Sequence, residues 1–365
     1  MKQVGLWAVI LLAELVAMQS YGTILLHLLG HVPLQAPSDL DCFQKNAALA
    51  LGRAALSQEA VANVCAFMYP PPFILVVAPL VWLSSAGAYV VWSAVNILCL
   101  AGAARAIGVS WRAVALGLAA PAALLCIIIG QNGGITSALL MLSLGLAASN
   151  PVLAGIAAGC LIIKPQLAML LPICYFSSRN WRAFGSAALT ALVLCAVSAL
   201  VLGPASWQHF LHSNTALMRM RLEMPWEQPM QNIMASVFMT LRSLHGGLRL
   251  AYGAQSVASL AAVGAAAYLW WPGVMAPDAR RLAATLCLVL LATPFAYIYD
   301  YPALGFALAA CAAQRHWEEI LPLAVFWLVT GLYIMISMAS FLTGSCLLIL
   351  LLAQFWPPRN GPHLA

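Results

Sequence analysis

The sequence predicts an all-α polytopic membrane protein, and three observations carry that prediction. The 365 residues are 64% hydrophobic and only 7% charged, with a mean hydropathy of +0.93; a soluble core cannot hide that much apolar surface. Apolar runs recur from end to end, punctuated by Gly, Pro and charged residues. The 16 Lys and Arg against 10 Asp and Glu fall mostly in short connections between those runs, so the basic balance reports positive-inside topology and excludes a nucleic-acid partner as its simplest cause. The 10 cysteines contain no CxxC or metal spacing, and no soluble domain or internal repeat is visible. The chain reads as a single integral-membrane domain over 1–365, expected to act as a monomer.

At about 20 apolar residues per span, the elements follow in order. Span 1 covers 5–29; one Lys precedes it and no small-residue cleavage pattern follows, so it is a retained anchor rather than a signal peptide. Residues 32–72 form a polar loop. Spans 2 to 7 are expected at about 85–104, 113–130, 134–148, 152–163, 166–177 and 183–202. A second polar loop covers 204–247, and five more spans lie at about 249–270, 282–296, 302–313, 318–337 and 341–356. The stretch Phe73 to Leu83 is apolar but below spanning length. If it is interfacial or re-entrant, Lys2, Arg105, Arg112, Arg179, Arg182, Arg280, Arg281, Arg315 and Arg359 all fall on the cytoplasmic side. That choice gives about 12 transmembrane helices with both termini inside, and it brings Asp39, Asp41, Gly130-Gln131-Asn132, Lys164-Pro165-Gln166, the 204–247 loop and Tyr297 to Tyr301 to one outer face.

Within the first outer loop, Leu40, Phe43, Ala47, Leu51 and Ala54 recur at three- and four-residue steps while Asp41, Lys45 and Arg53 point elsewhere. That spacing is a short amphipathic helix lying in the membrane interface, with Asp39 where an N-cap would stand. Pro70 to Pro72 stop any helix begun near Glu59. Cys42 and Cys65 could form a disulfide if the loop faces an oxidising compartment.

The ordered motifs SDLDCFQKNAALALG, YPPP, GQNGG, PVLAGIAAGCLIIKPQLAMLLP and RNWRAF resemble glycosyltransferase family 87, polyprenyl-phosphate-mannose-dependent α-mannosyltransferases of the GT-C superfamily. The resemblance covers most of 35–210 and is weaker beyond, at PMQNIMASVF and ATPFAYIYDY. It implies a GT-C-like fold in the inner (plasma) membrane, a lipid-linked hexose donor with mannose expected, a lipid or glycan acceptor, a periplasmic or extracytoplasmic active site, and a catalytic Asp in the first outer loop. Asp39-Leu40-Asp41-Cys42-Phe43 fits the family's acidic motif with Asp39 first. The second acid, Asp41, and the pair Lys45-Asn46 depart from the pattern and leave the donor open to an amino sugar, pentose or uronic acid.

Each candidate has a plainer reading beside it. Asp39 serves either as the base that accepts the acceptor hydroxyl proton or as a helix cap. Lys164, Arg219, Arg221 and Lys45 are the cations available to a donor phosphate, or ordinary interfacial charges; Lys164, beside a proline between two apolar runs, is the deepest. Asp41, Tyr69, Gln131, Asn132, Gln166, His209, Tyr299 and Asp300 are the candidate sugar or acceptor contacts, against an aromatic belt at Tyr297 to Tyr301 and a simple turn at GQNGG. His209 and His212, and Glu223 and Glu227, make no metal set, so no metal or cofactor is expected. Glu14 within span 1 leaves a lipid-linked saccharide flippase or secondary transporter as the alternative, for which broken helices and polar residues near the mid-membrane are the expected mark; the collection of polar groups at one face weighs against it.

Overall fold

The computed structural model describes residues 38–52, 67–226, 231–314, 325–326 and 345–356. Span 1 with Glu14, the loop residues Arg53, Glu59 and Cys65, and most of 318–337 lie outside the described residues.

The described residues are helical, with no strand beyond one isolated bridge between Met234 and Tyr297. Helix α1 is Ser38–Ala50. Its Leu40, Phe43 and Ala47 are buried in a cluster with Phe73, Val77, Leu80 and Trp92, so the apolar stripe packs on protein while Lys45 faces outward. Helix α2, Pro71–Val77, starts on the proline run and continues as a 3-10 turn, Ala78–Trp82. The Phe73 ring meets Phe43 at 5.1 Å, and Gln44 Nε2 donates to Leu83 O at 2.8 Å. Both ends of the Phe73–Leu83 stretch thus rest on neighbouring residues of α1.

Helix α3, Ser85–Ala106, is capped by Ser84, and two short helices follow, α4 Trp111–Leu118 and α5 Pro121–Ile128. These two meet at a 54° bend just before Pro121, which starts a helix but cannot continue one. Next come α6 Gly133–Gly145, α7 Pro151–Cys160, α8 Leu171–Ser177 and α9 Trp181–Leu202. Helix α7 presses against α9 through Gly155 and Gly159. A Cβ on Gly155 would sit 2.0 Å from Ser186 Oγ, the close approach that small residues permit between membrane helices. The opposite side of α9 is bare and apolar, Leu200 being 84% exposed.

The 204–247 loop is largely helical: α10 Pro204–His209, a π-turn Phe210–Asn214, α11 Thr215–Glu223 and α12 Val237–Ser243. Helices α13 Leu248–Leu269, α14 Ala279–Ala292, α15 Pro302–Gln314 and α16 Ser345–Phe355 complete the described residues. Among them α3, α9 and α13 are long and apolar enough to cross a membrane alone, and the bent α4–α5 pair makes a fourth candidate. The described residues thus show three or four candidate spans and do not confirm the count of about 12. Several runs that look like spans fold as helices of 10 to 17 residues, because Pro and Gly divide them.

Two ends of the bundle are distinct. Residues 107–109, 144–145 and 277–282 meet with Ala310 at one end, and Asn180 ties the α8–α9 turn to Ala147 there at 2.6 Å. Gln131, Lys164, Arg221 and Tyr299 meet at the other.

Candidate active site

The site is assembled around one turn. Gly130 takes a positive φ of 68° between α5 and α6, a geometry suited to glycine. The Trp92 indole in α3 donates to the carbonyls of Gly130 and Gln131 at 3.0 and 3.1 Å, and Gln131 N closes on Cys126 O at 2.9 Å. Gly133 lies flush against the chain after α14: a Cβ there would come 1.7 Å from Tyr299 O. GQNGG is therefore a fitted joint between two parts of the bundle, and it places Gln131 at the cavity.

Gln131 is buried and bridges two elements. Its Nε2 donates to Asp39 Oδ2 at 2.8 Å, and its Oε1 accepts from the Tyr69 hydroxyl at 3.0 Å. Asp39 lies inside the first turn of α1, and this hydrogen bond directs its carboxylate away from the capping position expected for it. Burial raises the Asp39 carboxyl above its ordinary range, opposed by the Gln131 hydrogen bond and by the charge of Arg221.

A cavity of about 270 Å³ opens here, lined on its polar side by Asp39, Tyr69, Gln131, Lys164, Gln166, Arg221, Tyr297 and Tyr299. Met68, Met218, Leu222, Ile233, Met234 and Phe295 make its apolar wall. Lys164 stands where the backbone leaves the helix between α7 and α8, its side chain 2% exposed and ion-paired with the fully buried Asp300. Non-helical backbone at such depth is tolerated when it lines a cavity. Its ammonium also lies 4.6 Å from the Tyr299 ring centre, and the Tyr297 and Tyr299 rings stack at 5.0 Å. Asp300 Oδ2 accepts from Tyr297 N at 3.3 Å, so this acid braces the turn instead of facing the cavity.

Other candidates lie elsewhere. Asp41 and Lys45 pair at 2.6 Å on the outer side of α1. Arg219 pairs with Glu223 at 2.9 Å, which also accepts from the Tyr252 hydroxyl at 2.8 Å. His209 is exposed on α10. Asn132 is fully buried at the start of α6 and does not line the cavity. Cys42, which does line it, is disulfide-bonded; its partner lies outside the described residues. Sequence reasoning passed over the apolar wall and Trp92. A methionine or leucine in so apolar a chain carries no signal, whereas a Trp within a span has an indole N–H that needs a partner.

Fold and cavity together define the class: a helical membrane protein in which a carboxylate, an amide and cations from distant segments share one site. Residues 67–294, more than half of the chain, match the model of glycosyltransferase family 87, and the chain belongs to that family. It is a membrane glycosyltransferase. Tyr69, Gln131, Lys164, Gln166 and Arg221 fall inside the matched segment, while Asp39, Tyr299 and Asp300 fall outside it. No protein of curated function and no solved structure matches the chain.

Proposed function

We propose that the chain transfers a hexose, with mannose the first candidate, from a polyprenyl-phosphate donor to a lipid or glycan acceptor, with Asp39 as general base. The observation that carries this reading is the cavity itself, which sets a carboxylate beside cations on one side and a Met- and Phe-rich wall on the other. At about 270 Å³ it is near the small end of ligand pockets, about 300–1,000 Å³, which suits a monosaccharide and its phosphate with the isoprenoid tail left to the bilayer. In the reaction Asp39 takes the proton of the acceptor hydroxyl. The acceptor oxygen bonds to the sugar C1 as the C1–O bond to phosphate breaks, and the electron pair leaves with the polyprenyl phosphate. No cofactor enters this scheme.

Arg221, the lining cation whose charge acts on Asp39, is the preferred phosphate ligand. Lys164 also lines the cavity, but its charge is balanced by Asp300, so its role is to hold Tyr297 and Tyr299 in place as much as to meet the donor. The apolar wall offers Met68, Met218 and Met234, unbranched side chains that adapt to irregular apolar ligands. The cavity lies at the end of the bundle away from Arg105, Arg112, Arg179, Arg182, Arg280 and Arg281, which favours an extracytoplasmic site. Helix breaks at Pro121 and Lys164 are the mark expected of a transporter, yet the second brings Lys164 and Gln166 to the proposed transferase cavity.

Purified protein incubated with a panel of radiolabelled polyprenyl-phosphate sugars and host lipid extract tests the reading. Label should move from a hexose donor into a lipid or glycan product, and Asp39→Asn should abolish the transfer. Full activity in a folded Asp39→Asn protein would remove Asp39 as the base.

A further inference from the structure

We propose that Tyr69 and Gln131 form a positioning relay that assigns the two oxygens of the Asp39 carboxylate, Oδ2 to the Gln131 amide and Oδ1 to the acceptor hydroxyl. The inference rests on the reading of Asp39 as the base and goes beyond it: both residues line the cavity, and neither gives up a proton in the reaction.

The chemistry of the three groups fixes their order. An ionised carboxylate can only accept hydrogen bonds, so Gln131 must face Asp39 with its Nε2, as it does at 2.8 Å. An amide so oriented presents Oε1 on its other side, and only a donor suits that position. The Tyr69 hydroxyl supplies it at 3.0 Å. With the phenol in place, turning the amide over would set Oε1 against a carboxylate oxygen. The relay therefore selects one amide orientation and, through it, the acceptor-only state of Asp39.

The mounting supports the role. Gln131 is 6% exposed, and its carbonyl receives the Trp92 indole N–H while its backbone N–H is tied to Cys126. Tyr69 packs at 5.3 Å and nearly perpendicular to Phe43, on the same helix as Asp39 and four residues further on. The relay thus spans α1, the segment before α2, and the α5–α6 turn, three elements that have to agree before the base is aligned. A residue that merely filled space would need neither the amide nor the phenol oxygen.

The test is the pH dependence of transfer by the full-length enzyme in detergent or vesicles, for wild type, Gln131→Met and Tyr69→Phe, beside Asp39→Asn. Gln131→Met keeps the length of the side chain and removes the donor. Its acid limb should move to higher pH, with transfer on that limb falling about tenfold more than on the plateau, the scale of one hydrogen bond to a charged group. Tyr69→Phe removes one oxygen atom and should move the limb in the same direction by less. Equal loss across the whole pH range, with the limb unmoved in both variants, would overturn the relay and leave Asp39 as the base. If Asp39→Asn is itself fully active, the reading of the base fails first, and the two failures are told apart. Tyr69→Phe keeps the test open should Gln131→Met fold poorly.

Discussion

As the proposed base, Asp39 would work under a constraint: it has to be ionised in a half-buried site. Because burial raises its carboxyl against the pull of Gln131 and Arg221, the native state holds the proton more tightly than the unfolded chain. The stability lent by that proton is complete at low pH and is lost as pH rises through the native value. Asp39→Asn should then leave thermal stability at neutral pH equal to or above wild type while transfer falls by roughly 10²–10⁴-fold; a thermal melt beside the transfer assay reads both. The acid limb of wild-type transfer should lie above the ordinary carboxylate value of 3.8. Substitution of Lys164 should have the opposite effect on stability. Lys164→Met strands the buried Asp300 and should cost about 3–5 kcal/mol in unfolding experiments, whereas adding Asp300→Asn removes the stranded charge and should recover most of it. Arg221→Met should chiefly raise the donor KM, and an unchanged KM would withdraw Arg221 from the phosphate.

The joints between helices matter as much as the helices. Gly133→Ala drives a methyl into the Tyr299 carbonyl, 1.7 Å away, so it should separate GQNGG from the tyrosine turn and lower both transfer and melting temperature. Gly102→Ala and Gly185→Ala, with nothing within 4 Å, should instead raise helix stability by about 0.5–1 kcal/mol. The sequence made some of these elements legible and hid others. The steps Leu40, Phe43 and Ala47 marked α1 because three- and four-residue spacing reports one face of a helix, but they could not say whether that face meets lipid or protein; Phe73 and Trp92 decide that. Asp39, Gln131 and Lys164 stood out as polar residues in apolar surroundings. Their partners were not readable, because Gln131 and Asp39 are 92 positions apart and nothing local encodes such a meeting. Hydropathy registers composition and not helix length: the runs on either side of Lys164 fold as helices of 10–17 residues, below the length of a lone span.

For the whole molecule, the informative asymmetry is between its two ends. Arg105, Arg112, Arg179, Arg182, Arg280 and Arg281 lie at helix termini or in the turns between them at one end, where Arg105 and Arg281 stack on Trp111 and Trp270 at 4.8 and 4.3 Å. Basic residues at the cavity end are carried mainly on the long 204–247 connection and are interspersed with acids. Cysteines placed at the exposed positions Ser149 and Gln208 should report the two sides. A membrane-impermeant thiol reagent should label Gln208→Cys in intact cells and Ser149→Cys only after permeabilisation, and the reverse pattern would put the cavity on the cytoplasmic side.

The Lys164–Asp300 pair also has a history within each molecule. Its partners are 136 residues apart, and a chain grows at about 5–20 residues per second, so the lysine emerges on the order of ten seconds before its counter-charge exists. During that interval the ammonium has to reach for the membrane surface. The transferase cavity can close only after the Tyr297–Tyr301 turn has been synthesised, which makes the site one of the last things the nascent protein acquires.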